Sequence, residues 1–303
     1  MRIILIHNEG AGDDDQANAA QLRNLIRDAG HDLIRYCTDK DYWSAGLTKP
    51  VDAIAVAGGD GTIGRVAKQL AGNNVPLAVL PMGTANNISH MLGVADIPLE
   101  HLIPGWEHAS IRSIDVGIAR GPWGVRRFLE GVGVGVFART IAEADASGTM
   151  ASLPDADSRI SYALQMVKDR LQKSPPISLS ATLDGDGLDG NYVLFEALNG
   201  QYIGPNLYLA PEGDPGDGYL DVVMVSENER PRLLDYLTSW QNGERLPAAL
   251  PARRGRHLVM RWTGFPVHID DATWPDETVA PSPPAGIDVA LEPKALRVLL
   301  PAG

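Results

Sequence analysis

Gly58-Gly59-Asp60-Gly61-Thr62 follows the apolar run Ala53 to Ala57 and leads into a helix-patterned segment, Ile63 to Leu70. The chemistry this order suits is anion binding. Glycines let backbone N–H groups approach oxygens that a Cβ would keep away, and the first amides of a helix have no intrahelical acceptor. Phosphate fits such a place. A branched side chain at Gly61 is expected to fill the phosphate space and to bar a positive φ there. Asp60 is the odd member: a carboxylate in an anion site makes sense if it binds a cation, holds water or takes a proton.

A second turn repeats the first. Leu77 to Leu80 is another buried-strand pattern, and it ends at Pro81-Met82-Gly83-Thr84-Ala85-Asn86 before a helix-like stretch through Met91. In an open α/β sheet ligands bind beyond the carboxyl ends of the strands, so two successive Gly-Thr turns would line one crevice. The spacing Gly59-x-Gly61-x-x-Gly64 also matches the dinucleotide fingerprint. That reading requires an acid about twenty residues on for the ribose. The neighbourhood there, Pro81 to Asn87, has none, and the turn does not follow the first strand, Ile3 to Ile6. A nicotinamide oxidoreductase is thereby set aside. No Gly-x-x-x-x-Gly-Lys-Ser/Thr loop exists, which excludes P-loop machinery.

The elements that must hold these turns alternate up to about Ile114. Strands are expected at Arg2–His7, Asp32–Tyr36, Ala53–Ala57 and Leu77–Leu80, and helices at Gln16–Ala29, Ile63–Leu70 and Ile88–Leu92. Alternation of this kind predicts a mainly parallel sheet covered by helices. After Asp115 the texture changes to strands between Gly, Pro and Asp turns: Asp115–Ala119, Arg127–Val136, Ile177–Leu183, Tyr192–Ala197, Tyr219–Val225, His257–Trp262, Val267–Ile269, Ile287–Leu291 and Leu296–Leu300. One amphipathic helix, Arg159 to Leu171, interrupts them, and Asp145 to Thr149 reads as a loop. The expected fold class is therefore an N-terminal α/β domain, residues 1–114, followed by an antiparallel β-sandwich-like domain, residues 115–303. The C-terminal end is free to return to the first domain, and the active site is expected in the cleft between them.

A chain of 303 residues exceeds what one hydrophobic core serves, and 44% hydrophobic residues suffice for two. No run approaches a membrane span, and the N-terminus opens into a strand rather than a signal sequence. Cys37 is the only cysteine, so a reducing cytoplasm is the expected location and a small buried residue the expected role. A net charge of −12 argues against a nucleic-acid partner. Arg253-Arg254-Gly255-Arg256-His257, with Arg261 beyond it, runs against that balance. It could meet lipid phosphates or a nucleotide, although a short charge run is more often a solvated loop.

The two Gly-Thr turns, together with Leu209-Ala210-Pro211-Glu212-Gly213-Asp214-Pro215-Gly216-Asp217-Gly218-Tyr219-Leu220-Asp221, resemble the diacylglycerol kinase catalytic-domain family of bacterial lipid kinases and sphingosine kinases. More distantly they resemble NAD kinases. The resemblance runs from Ile3 to about Pro301. It implies ATP and Mg²⁺ as cofactors and phosphoryl transfer to a lipid hydroxyl. It also implies nucleotide contacts from Asn8 in the first-strand turn (Asn8 to Gly12), Thr38, Gly58, Gly59, Asp60, Gly61, Thr62, Gly83, Thr84 and Asn86. Asp217, with the backbone carbonyls of Asp214 and Tyr219, resembles a structural Mg²⁺ site made of the oxygen ligands a hard cation prefers. Asp115 stands where the family has a similar acid.

The chain departs from the family at three positions. Gly64 replaces an Asn, Asn87 replaces an Asp, and Ala272 stands where the Glu of an Asp-Gly-Glu turn should follow the strand Val267–Ile269. Asp60 and Asp270 are the expected catalytic residues. Asp271 and His268 remain alternative proton acceptors. The reading is a lipid kinase for diacylglycerol or a related lipid alcohol, within phospholipid metabolism. A kinase for a soluble hydroxylated metabolite and a non-catalytic nucleotide-binding regulator are the alternatives. Peripheral membrane contact and a homodimer are left open.

Overall fold

The computed structural model describes residues 1–10, 17–38, 50–275 and 284–301. The chain divides into two compact units, Met1–Ile114 with Lys294–Gly303, and Asp115–Pro293.

In the first unit, strands β1 (Arg2–His7), β2 (Asp32–Thr38), β3 (Ala53–Gly58) and β4 (Leu77–Pro81) alternate with helices α1 (Ala19–Asp28), α2 (Asp60–Leu70), α3 (Asn87–Met91) and α4 (Leu99–Leu102). The strands lie in the order β2-β1-β3-β4, all parallel. Every residue of β3 is buried, as a central strand covered on both faces requires. Small side chains at Ala53, Ala55 and Ala57 let helices close over it. Helix α1 starts at a capping box in which Asn18 accepts from the Ala20 and Gln21 amides and Gln21 Oε1 accepts from the Asn18 N–H. Val298, near the end of the chain, pairs in parallel with Leu77 of β4. Cys37 is buried near the end of β2.

The second unit is mostly antiparallel. Its elements are β5 (Ser110–Gly121, which starts in the first unit), β6 (Gly124–Phe128), β7 (Gly131–Gly135), α5 (Val136–Ser147), α6 (Ala156–Lys173), β8 (Ile177–Leu183), β9 (Asp186–Gly187), β10 (Gly190–Leu198), β11 (Tyr202–Ile203), β12 (Leu207–Tyr208), β13 (Leu220–Ser226), α7 (Arg230–Gln241), β14 (Ala252–Gly255), β15 (His257–Trp262), β16 (Val267–Ile269), β17 (Ala272–Trp274) and β18 (Ala285–Leu300, whose last residues belong to the first unit). Strands run β17-β16-β7-β10-β8-β15-β18, with β13 also on β10 and β14 on β13. Strand β8 alternates buried and exposed positions throughout, the signature of a sheet with one wet face. One core gathers Phe128, Phe195, Trp262 and Trp274; a second lies under α5, α6 and α7 around Phe137, Leu171, Leu237 and Trp240.

Several local expectations are corrected. The stretch Arg127–Val136 is two strands broken at Leu129-Glu130, and Val136 already begins α5. Ala146 and Ser147 lie in the last turn of that helix rather than in a loop. Helix α7 was unforeseen, although Ser226 and Glu229 form a capping box ahead of it and Leu233, Leu237 and Trp240 recur at helical spacing. The two expected C-terminal strands are one, β18.

Candidate functional site

The β3–α2 and β4–α3 turns touch backbone to backbone. An ideal Cβ on Gly83 would lie 2.3 Å from the Gly59 Cα, and one on Gly59 would lie 2.9 Å from the Gly83 Cα. These two glycines are therefore required by each other. A Cβ on Gly58 would press on Thr62 at 3.0 Å. The Met82 amide donates to the Gly58 carbonyl at 3.0 Å, which fixes the register of the two turns.

Asp60 is the first residue of α2, where a carboxylate meets the positive end of the helix dipole. Its Oδ1 accepts the Ile88 amide of the neighbouring turn at 2.9 Å. This adds a fourth role to those expected for Asp60: it ties α3 to α2. The expected helix start at Ile63 is corrected to Asp60, so Gly61 and Thr62 are helical and Gly61 does not need a positive φ. Gly61 is exposed in that first turn. There its N–H can meet an anion, which is the feature the phosphate reading requires.

Asn8 links the first strand to the same place. Its Nδ2 donates to the buried Thr62 Oγ1 at 3.0 Å, and its Oδ1 accepts the Gly10 amide at 3.0 Å. Ala11 and Gly12 of the expected first-strand turn lie outside the described residues. Thr38 ends β2 opposite His7. In the second turn, Asn86 adopts a left-handed φ of 53°, its Oδ1 accepting the Gly83 N–H at 2.9 Å and its Nδ2 donating to the Gly83 carbonyl at 3.0 Å. Asn86 thus holds the turn and occupies the Gly83 amide. Thr84 is half-buried within it. Asn8, Thr38, Gly58 to Thr62 and Gly83 to Asn86 all stand at the carboxyl ends of parallel strands, the end at which open α/β sheets take their ligands.

In the second unit, Asp270 follows β16 with a left-handed φ of 51°. Its carboxylate accepts the amides of Leu129 at 3.1 Å, Glu130 at 2.9 Å and Gly131 at 3.4 Å. Its own N–H donates to the Gly131 carbonyl at 2.9 Å. Three backbone amides thus converge on this carboxylate and fix its position. Asp271 and Ala272 are exposed. His268 is fully buried with both ring nitrogens engaged, Nε2 to Glu196 at 2.7 Å and Nδ1 to the Asp270 carbonyl at 2.9 Å, so it is removed from the proton acceptors a substrate could reach. Neither Glu196 nor its partnership with His268 was foreseen. The signal was present: an acid inside the apolar strand pattern Tyr192–Ala197.

The expected Mg²⁺ site in the 214–221 loop does not fit the residues around it. Asp217 Oδ1 accepts the Tyr219 amide at 2.9 Å, its Oδ2 pairs with the Arg254 guanidinium, and Asp214 Oδ1 accepts the Gly216 amide at 2.8 Å. Arg254 Nε also reaches Asp221 at 3.1 Å, and its guanidinium lies 5.1 Å from the centre of the Tyr219 ring. An internal cation, Arg254, thus pairs with the Asp217 carboxylate that was expected to hold the ion. Asp217 and Tyr219 both meet Arg254, and the Asp217 N–H donates to the Asp214 carbonyl at 3.3 Å. Among the described residues no group of three or more His, Cys, Asp and Glu side chains could hold a metal. Two members of the basic run meet the same loop: Arg256 donates to the Tyr219 hydroxyl at 3.0 Å, and Arg254 lies in β14 rather than in a loop. Asp115 Oδ2 accepts the Gly218 amide at 2.7 Å, adding another tie. Burial pushes the Asp221 carboxyl up to about 6, against the pull of Arg254 and with the help of the Asp217 charge.

Comparison with known proteins agrees with this geometry. The diacylglycerol kinase catalytic domain model matches residues 2–119, and the model of a YegS C-terminal NAD kinase beta sandwich-like domain matches residues 131–300. A diacylglycerol kinase of Mycobacterium tuberculosis is 25% identical over 268 residues, covering 85% of this chain and 80% of that protein. A diacylglycerol kinase of Bacillus subtilis is 24% identical over 256 residues, covering 81% and 80%. The crystal structure of a diacylglycerol kinase from Bacillus anthracis superposes with a TM-score of 0.70 at 21% identity, covering 99% of this chain and 96% of that one. With the two models matched in order along the chain, and the first of them spanning the turns that hold each other backbone to backbone, the chain belongs to the diacylglycerol kinase catalytic-domain family and carries a YegS C-terminal NAD kinase beta sandwich-like domain.

Proposed function

We propose that the protein transfers the γ-phosphoryl group of MgATP to the hydroxyl of a lipid alcohol, diacylglycerol first among them. The observation that carries this reading is the mutual lock of Gly59 and Gly83, which sets the exposed start of α2 beside the Asn86-capped turn in a chain of this family. The Gly61 amide and the α2 dipole favour the phosphates, Thr62 and Asn8 brace that turn, and Thr38 and Thr84 supply hydroxyls near it. Mg²⁺ arrives as part of the nucleotide substrate, and Asp60 is the carboxylate of this unit that faces its charge.

In the reaction, the acceptor oxygen bonds to the γ-phosphorus, the bond to the β–γ bridging oxygen breaks, and ADP leaves. The hydroxyl proton passes to a carboxylate, for which Asp270 is proposed. Three amides fix where its oxygens stand. Such placement suits a loose phosphoryl-transfer transition state, in which the hydroxyl gives up its proton late and orientation matters more than basicity.

Ala272 favours a second reading, a nucleotide-binding regulator, because it offers no side-chain acid at the turn. A net charge of −12 favours a third, a soluble hydroxylated acceptor. An ATP-turnover screen against lipid alcohols and soluble polyols separates them. Turnover stimulated by lipid alcohols supports the proposal. Stimulation by polyols alone, or nucleotide binding without turnover, overturns it in favour of the third or second reading.

A further inference from the structure

Three adjacent strands of the second unit, β10, β7 and β16, place Glu196 and His268 opposite the same residue, Gly133. Neighbouring strands lie about 4.8 Å apart, so side chains on the two outer strands cannot meet across an ordinary residue. Gly133 opens the gap: an ideal Cβ there would lie 1.8 Å from Glu196 Oε2. Through that gap Glu196 Oε2 reaches His268 Nε2 at 2.7 Å, with both side chains wholly buried. A carbonyl oxygen cannot donate, so the 2.9 Å contact between His268 Nδ1 and the Asp270 carbonyl puts the hydrogen on Nδ1. One further proton sits between Nε2 and Oε2. The pair is neutral overall whichever atom holds it.

A buried pair of this kind is a poor source of stability, since apolar residues of similar volume often serve as well or better. Its geometry has a different consequence. Asp270 sits in a left-handed conformation, with φ 51°, that a non-glycine residue adopts only at a cost. It is held there by His268 on its carbonyl, by the Gly131 carbonyl on its amide and by the 129–131 amides on its carboxylate. Only the first of these anchors lies outside the β7 entry that the carboxylate itself braces. We propose that Glu196 and His268 are positioning residues that fix the Asp270 turn and act on the reaction only through Asp270, with Gly133 as the space that lets them meet. This inference rests on the role given to Asp270 above.

Two measurements test it, one of them independent of activity. Glu196→Leu leaves His268 Nε2 without a partner, whereas Glu196→Gln keeps one, because an amide N–H can donate to Nε2. Glu196→Leu is expected to lower kcat about 10–100-fold at unchanged KM for ATP, and Glu196→Gln to restore it to within about threefold. In an Asp270→Asn background, Glu196→Leu should cause no further loss. Amide hydrogen exchange at Leu129, Glu130 and Gly131 should quicken at least tenfold in Glu196→Leu and not in Glu196→Gln. If Glu196→Leu does not fold, Glu196→Leu with His268→Leu removes both polar partners together and is read in the same way. Unchanged exchange at these amides, or a kcat loss that multiplies fully with that of Asp270→Asn, overturns the proposal. A wild-type protein that phosphorylates no alcohol sinks the proposed reaction alone, and the exchange measurement then decides the positioning role by itself.

Discussion

A Cβ on Gly83 would lie 2.3 Å from the Cα of Gly59, a distance that no side-chain motion relieves because both atoms belong to the backbone. Gly83→Ala is therefore expected to push the two turns apart, costing about 2–3 kcal/mol in chemical denaturation and lowering ATP affinity in calorimetry. Gly61→Ala should behave in the opposite way for stability. Gly61 is the exposed second residue of α2, so alanine there should add about 0.5–1 kcal/mol while still reducing ATP affinity. Unchanged affinity in both variants would detach the turns from the nucleotide. Asp60 separates structure from chemistry at a single side chain. Asp60→Asn keeps an oxygen for the Ile88 amide and loses the charge, so denaturation should shift by less than about 1 kcal/mol while turnover falls by tenfold or more. Asp60→Ala should also lose about 1–3 kcal/mol, since the Ile88 amide is then left unbonded. Equal turnover in Asp60→Asn and wild type would make Asp60 a tie between helices and nothing more.

At the scale of elements, β14 and the 214–221 loop form one electrostatic unit. Arg254 sits between Asp217 and the buried Asp221, so thermal stability should be the same in Mg²⁺ and in a chelator, and Asp217→Ala should cost the same in both. A Mg²⁺-dependent gain in melting temperature would contradict the internal-cation reading. The pH dependence follows from Asp221. Its folded value, about 6, lies above the ordinary carboxylate value, so the folded state binds that proton more tightly than the unfolded chain. That contribution is complete below about pH 4 and is lost as pH rises through 6. Arg254→Met removes the charge that offsets this loss. It should cost about 1–3 kcal/mol at pH 8 and much less at pH 5, read from melts at both values. An equal cost at both would show that Asp221 does not feel Arg254. The acids of this loop were legible in the sequence, but their partner was not. Arg254 lies on a strand distant in sequence, and only the β13–β14 pairing brings it to Asp217.

For the whole molecule, the change from alternating β/α to antiparallel β was readable because the hydrophobic period itself changes, and the two glycine turns were readable because strand, Gly-Thr and helix follow each other within a few residues. Non-local features were not. Gly59 reads as a phosphate glycine until Gly83 is seen against it, and Glu196 reads as an oddity until Gly133 opens the way to His268. Among the described residues no helix is long and apolar enough to cross a membrane, and of the basic run Arg254 and Arg256 contact the Asp217–Asp221 loop while His257 pairs with Asp288. A net charge of −12 opposes attraction to an anionic surface, so an uncharged surface is the fitting place to present a lipid acceptor. The most direct test is transfer of labelled γ-phosphate from MgATP to diacylglycerol in uncharged detergent micelles, with the lipid product separated from water-soluble label. The account predicts a labelled lipid phosphomonoester whose formation falls about 10²–10⁴-fold in Asp270→Asn. A folded, ATP-binding protein that labels no lipid alcohol, or an Asp270→Asn variant that labels diacylglycerol as fast as wild type, would contradict it.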